Sequence, residues 1–203
     1  MHSDSFSFSR VGRLMLMDAR FWTRPLLLGG AGVALGVLLL SFIAAFAGGS
    51  GHIHASLYGW ILGLGGLVFT SRIFLELRHP LTTQGFLLIP ASMEEKFVSR
   101  YLVSSLGYLI FSFVGYQLLQ LLCEGFNSLV AGRTNPLFFP DSLRHLQILA
   151  AYLAFQTLFF AGAVYYRKYS LIKTWLSVSA LFLLLGLLGY LLVHLFFNGY
   201  FDG

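Results

Sequence analysis

Four long uncharged segments dominate this sequence and restrict the folds open to it. They are residues 25–47, 101–123, 146–166 and 174–197. A helix rises about 1.5 Å per residue, so about 20 apolar residues cross a hydrocarbon core of about 30 Å. The whole chain is 57% hydrophobic and only 10% charged, against about 45–50% and about 25% in soluble domains. Each segment is therefore predicted to be a transmembrane helix.

A fifth span is predicted over residues 55–75. Its apolar part is shorter and runs into Arg72, whose long side chain can reach the interface while its stem stays in lipid. Nothing in the chain looks like a polar linker or a second module. We therefore predict an all-α, polytopic helix bundle of five spans that forms a single membrane domain over residues 1–203.

The basic residues predict the orientation of these spans. Cytoplasmic loops are enriched in Lys and Arg, and a cytoplasmic N-terminus with an extracytoplasmic C-terminus places eleven of the 13 basic residues inside. The eleven are Arg10, Arg13, Arg20, Arg24, Arg72, Arg78, Lys96, Arg100, Arg167, Lys168 and Lys173; Arg133 and Arg144 lie outside. They form short clusters rather than a continuous patch, so nucleic acid is not an expected partner.

Residues 5–24 are predicted to form an amphipathic helix on the inner leaflet. At 100° per residue, its four arginines share one arc and Val11, Leu14 and Trp22 fall on another side. Such a helix directs its cations to lipid phosphates and its apolar side chains to the acyl boundary. The alternative is a plain basic flank that only sets topology.

The segment 85–100 is predicted to be a cytoplasmic elbow where one helix stops and another starts. Pro90 cannot continue a helix, Ser92 can cap the next one, and Glu95 three residues later completes a capping box. Glu94 and Glu95 also favour the positive end of the helix dipole. We expect these charges to be exposed, with Arg100 leading the chain back into the membrane.

At these residues the sequence resembles a family, the membrane subunits of type 2 ABC exporters. Their inner loop typically reads Leu-Pro-x-Ser, with an acidic residue three places after the Ser and a basic residue five beyond that. Pro90, Ser92, Glu95 and Arg100 stand at those spacings, with Ile89 in place of Leu. The likeness covers roughly residues 1–125; the family usually has six spans, whereas five are predicted here.

The resemblance implies a non-catalytic subunit in a cell membrane, the inner membrane of a bacterium, working as a homo- or heterodimer with a separate ATPase subunit. Pro90, Ser92, Glu94, Glu95 and Arg100 would then couple the two subunits. The chain contains no phosphate loop of its own. The rival hypothesis is a membrane interaction protein without a transport cycle, such as an immunity, assembly or regulatory factor.

Several other chemistries are not expected. His52 and His54 flank Ile53, but no nearby Cys or carboxylate completes a metal site, and no cofactor is predicted. The five predicted spans contain no Asp or Glu in their interiors, which argues against a proton-driven carrier. Without a cluster of acid, base or metal ligands, an enzyme is not predicted.

Two Gly-x-x-x-Gly pairs remain, Gly32 with Gly36 and Gly59 with Gly63. Small residues at this spacing allow two helices in lipid to approach closely. We predict that they pack within the bundle, with a dimer contact as the alternative.

Overall fold

The computed structural model describes residues 6–47, 53–78, 80–140, 143–166 and 168–201. These residues form eight α-helices and no strand. The helices are α1 (Phe8–Phe46), α2 (Ile53–Trp60), α3 (Gly66–Arg72), α4 (Pro80–Leu88), α5 (Met93–Leu102), α6 (Tyr108–Ala131), α7 (Leu143–Tyr165) and α8 (Ser170–Phe201). A π-helical turn joins α2 to α3 and another joins α5 to α6, so the described chain has five helices long and apolar enough to cross a membrane. The predicted all-α bundle is confirmed.

Helix α1 continues without a break through Pro25. Its 39 residues correspond to about 58 Å at 1.5 Å per residue, nearly twice the hydrocarbon thickness. Val11, Leu14 and Trp22 are buried, and α1 packs on α5 and α6. Residues 8–24 of the predicted amphipathic helix are therefore continuous with the first span, and Val11, Leu14 and Trp22 on its apolar face contact protein. Residue 5 of that prediction lies outside the described residues.

The third span is also 39 residues long, from Met93 to Ala131. It runs from α5 through the π turn Val103–Gly107 into α6. A π turn shifts the backbone hydrogen-bond pattern by one residue, and the hydroxyl of Tyr108 donates across to the carbonyl of Ile61, in the other π turn, at 2.8 Å. The N-terminal part of this long helix, α5, lies beside the N-terminal part of α1.

The glycines that allow close packing are not the predicted ones. A Cβ added at Gly32, Gly36, Gly59 or Gly63 would have no neighbour within 4 Å. None of the four therefore makes a close helix contact in the described chain, although Gly59 and Gly63 border a groove that they share with Tyr152 and Phe155 of α7. The prediction that these glycines bring helices of the bundle close together is wrong; a dimer contact through them stays a prediction.

Close approach occurs instead where α7 meets α3 and α8. A Cβ at Gly66 would lie 2.5 Å from the ring of Tyr152, and one at Gly162 would lie 2.8 Å from Cβ of Thr174. These two glycines therefore set the distance from α7 to its neighbours.

Most of α8 has no packing partner within the described chain. None of the residues in its most apolar stretch is buried, and Leu183 and Leu195 are 75% and 76% exposed. A helix that is apolar on all sides and unpacked is typical of contact with lipid.

Candidate functional site

The elbow contains the predicted capping box. The hydroxyl of Ser92 accepts the N–H of Glu95 at 3.1 Å, and Glu95 Oε2 accepts the N–H of Ser92 at 3.0 Å. Helix α4 ends at Leu88, before Pro90. The break and restart of the chain at this position are confirmed.

Glu95 is buried, contrary to the expectation that it is an exposed charge. Its Oε1 atom accepts the backbone N–H of Ser7, the N-cap of α1, at 2.7 Å and lies 3.2 Å from Nε of Arg10. The side chain has no exposed surface. A carboxylate beside two helix N-termini is favoured by both dipoles, so Glu95 connects α5 to α1.

Arg100 is also buried, at 3% exposure. Its two terminal nitrogens donate to the carbonyl of Ile73 at 2.7 Å and to the carboxylate of Glu76 at 2.6 Å, and Asp18 lies 3.7 Å away. The guanidinium lies over the ring of Phe86, 4.6 Å from its centroid. The planar fork of arginine suits several acceptors and an aromatic face at once, so Arg100 joins α5 to α1 and to the end of the second span.

Two further side chains complete the buried face of α5. The Ser99 hydroxyl donates to Asp18 on α1 at 3.1 Å, and Lys96 Nζ donates to the carbonyl of Phe86 on α4 at 2.9 Å. Asp18 interrupts the apolar face of the N-terminal helix in the sequence, and this contact accounts for it. Two cations, Arg10 and Arg100, thereby meet three carboxylates, Asp18, Glu76 and Glu95, while Lys96 is bound by backbone carbonyls.

The other face of α5 is open. Glu94 is exposed and makes no ion pair with any described residue, while Met93 and Phe97 are 59% and 44% exposed. With Phe6 and Val98, these residues line a groove of about 510 Å³. Pro90 is exposed nearby and Ser92 is half-buried. Of the five predicted coupling residues, only Pro90 and Glu94 are thus fully available to a partner.

A second polar cluster, which was not predicted from the sequence, lies at the end of the bundle opposite the elbow. Helix α6 runs on to Ala131 and carries Glu124 into the interior, beyond the predicted span limit at residue 123. Its carboxylate accepts hydrogen bonds from Ser41 at 2.7 Å, His54 at 2.8 Å and Asn127 at 3.1 Å. We call Ser41, His54, Tyr116, Glu124, Asn127 and Asn135 the distal cluster.

The segment 132–140 closes this end. Gly132, at φ 63°, ends α6 in the left-handed conformation that glycine adopts without strain. Asn135 then donates its backbone N–H to Glu124 at 2.5 Å, and Gln120 exchanges two hydrogen bonds of 3.0 Å with the backbone of Phe138. The polar side chains of α6 therefore fix a loop that is otherwise irregular.

One feature of the sequence could have indicated the distal cluster. A His just before the second span and a Glu just after the third are adjacent in space if consecutive spans are antiparallel neighbours. From the sequence, His54 is paired only with His52, which lies outside the described residues. In the structure, the partner of His54 is Glu124 at 2.8 Å.

The fold and its lipid-facing helices define the class of this chain, a multi-pass α-helical membrane protein. No family model, no curated protein and no solved structure matches its sequence or fold.

Proposed function

We propose that this chain is the non-catalytic membrane subunit of an ABC-type exporter, and that the elbow receives force from a separate ATPase subunit in the cytoplasm. The proposal rests on the difference between the exposed face and the buried face of α5. One face offers Glu94 between Met93 and Phe97. The other face is bound to α1, α4 and the end of the second span through Glu95, Lys96 and Arg100.

Because of these contacts on its buried face, we expect α5 to move together with the spans it contacts rather than to deform locally. Buried ion pairs resist separation because each partner left alone would be an uncompensated buried charge, at a cost of about 3–5 kcal/mol. A displacement applied at Met93 and Glu94 would therefore move α1 and the α5–α6 span together. The elbow would change the relative position of spans without unfolding.

Affinity purification in mild detergent from the native host tests the proposal. We expect an ATPase subunit with a phosphate loop to co-purify with the wild type. Glu94→Lys combined with Phe97→Ala should abolish its recovery, because charge reversal and loss of an exposed aromatic both oppose docking. Arg133→Glu, a reversal of an exposed charge at the opposite end, is the matched control and should retain the ATPase.

Failure would favour the rival function. If the wild type recovers no ATPase in detergent or in nanodiscs, or if the elbow double variant recovers as much as the wild type, the coupling role is wrong. A membrane interaction protein without a transport cycle would then be the better explanation.

A further inference from the structure

In the distal cluster, two acceptors compete for the proton of one hydroxyl group. The oxygen of Tyr116 lies 2.9 Å from Nδ1 of His54 and 2.9 Å from the backbone carbonyl oxygen of the same residue. A phenol has a single proton to donate. The hydroxyl can therefore satisfy Nδ1 or the carbonyl fully, but not both.

The second ring nitrogen of His54 has a fixed role. Nε2 lies 2.8 Å from Oε1 of Glu124, and that oxygen also accepts from Ser41 Oγ and from the side-chain amides of Asn127 and Asn135. The backbone N–H of Asn135 occupies the other oxygen. A carboxylate surrounded by donors acts as an acceptor, so Nε2 carries a hydrogen whether the ring is charged or not.

Two states of the imidazole fit these contacts, and they differ by one proton. In the neutral ring, Nδ1 accepts the Tyr116 hydroxyl. In the imidazolium, Nδ1–H donates to the Tyr116 oxygen, and the hydroxyl proton turns to the His54 carbonyl. We propose that His54, Tyr116 and Glu124 form a binding site for a single proton, taken from the solution on the side of the membrane away from the elbow.

The surroundings favour uptake of a positive charge. His54 is 1% exposed and Glu124 is 6% exposed, and a buried carboxylate without a cation is costly. On α1 the contacting residue is Ser41, and in the segment 132–140 it is Asn135, both neutral. Among the described residues, the other ionisable neighbours are Tyr58, whose ring lies 5.3 Å from that of Tyr116, and the buried thiol of Cys123.

Proton occupancy would set how firmly this end of the bundle is held. His54 belongs to α2, Glu124 to α6 and Ser41 to α1, and Asn135 closes the loop. The charged pair strengthens the hydrogen bond between α2 and α6, because charge-assisted bonds are roughly twice as strong as neutral ones. This site goes beyond the proposed function and does not depend on an ATPase.

Nitrogen-15 NMR of histidine-labelled protein in nanodiscs tests the proposal between pH 5 and 9. The chain has six histidines, and the His54 signals are assigned by their loss in His54→Gln. In the wild type we expect Nδ1 to change from an acceptor to a protonated shift on acidification, while Nε2 stays protonated throughout. A His54 ring whose two shifts do not change over this range would overturn the proposal.

Variants then separate the site from general effects of pH. Glu124→Gln should lower the pH at which Nδ1 changes by about one unit or more, because the opposite charge is removed. Tyr116→Phe should also lower the pH at which Nδ1 changes, because the charged ring loses a stronger hydrogen bond than the neutral ring does. The decrease should be smaller than in Glu124→Gln. Tyr58→Phe is the control and should leave that pH unchanged. If Glu124→Gln does not fold, the comparison of the wild type with Tyr116→Phe tests the proposal. An Nδ1 change at the same pH in Tyr116→Phe as in the wild type would reject the site.

Discussion

The carboxylate of Glu95 caps two helices whose starts are far apart in the chain. One oxygen accepts the N–H of Ser92 at the start of α5, and the other accepts the N–H of Ser7, which lies 88 residues before Glu95 at the start of α1. The first N–H groups of a helix have no partner within the helix. One side chain therefore satisfies donors at both N-termini and aligns them, which makes it the joint between the elbow and the first span.

Replacing Glu95 by Ala should destabilise the protein strongly. The change removes two cap hydrogen bonds and leaves Arg10 without this carboxylate, at a cost of about 3 kcal/mol. Ser92→Ala should cost about 1 kcal/mol, and Glu94→Ala, at an exposed site, less than about 0.5 kcal/mol. Thermal unfolding of the three purified variants in one detergent checks this order. Equal losses at Glu94 and Glu95 would contradict the joint described above.

Replacing Arg100 by Met should cost about 3–5 kcal/mol, because Asp18 and Glu76 would lose their shared cation. Lys should not restore stability fully, since it lacks the planar fork. A double-mutant cycle with Glu76→Gln isolates the pair, with an expected coupling of about 0.5–3 kcal/mol. Additive losses would mean that the 2.6 Å contact contributes little.

Alanine substitutions at different glycines should change the stability of the protein in opposite directions. Gly66→Ala should destabilise by about 1–3 kcal/mol, since its Cβ would meet the Tyr152 ring. Gly59→Ala and Gly63→Ala have open space and should be neutral or stabilise by up to about 1 kcal/mol, because alanine is the better helix former. The melting temperatures of the three variants decide. Loss of stability at Gly59 or Gly63 would restore the packing role predicted from the sequence.

Two buried tyrosines should respond differently to loss of the hydroxyl. Tyr108 donates to Ile61, so Tyr108→Phe should cost about 1 kcal/mol. The hydroxyl of Tyr152 has no hydrogen-bond partner among the described residues, so Tyr152→Phe should be neutral or stabilising. Unfolding of both variants in the same detergent gives the comparison. A clear loss for Tyr152→Phe would reveal a partner such as ordered water.

The orientation predicted from the basic residues can be read by cysteine labelling. Cys123 is buried, so introduced cysteines dominate the reaction. Thr134→Cys and Glu94→Cys are exposed positions at opposite ends. In intact cells a membrane-impermeant maleimide should label only Thr134→Cys, and permeabilisation should add Glu94→Cys. The reverse order would place the elbow outside the cell.

Features that depend on neighbours in the chain were predictable. Hydropathy gave five spans because each segment must satisfy its own backbone in lipid, and the Pro90–Ser92–Glu95 spacing gave the capping box because its bonds link residues three apart. Helix ends were harder. Predicted span limits placed Glu124 in a loop, whereas α6 continues to Ala131.

The tertiary structure alone decided which faces meet. Periodicity puts Gly59 and Gly63 on one side of a helix but does not say what lies opposite, and Gly66 and Gly162 turned out to make the close approaches. The same holds for Glu95, whose burial depends on Ser7 and Arg10, and for Glu124, whose partners Ser41 and His54 lie 83 and 70 residues away. A charge is exposed or paired according to partners brought by other helices, and packing, rather than local sequence, chooses those partners.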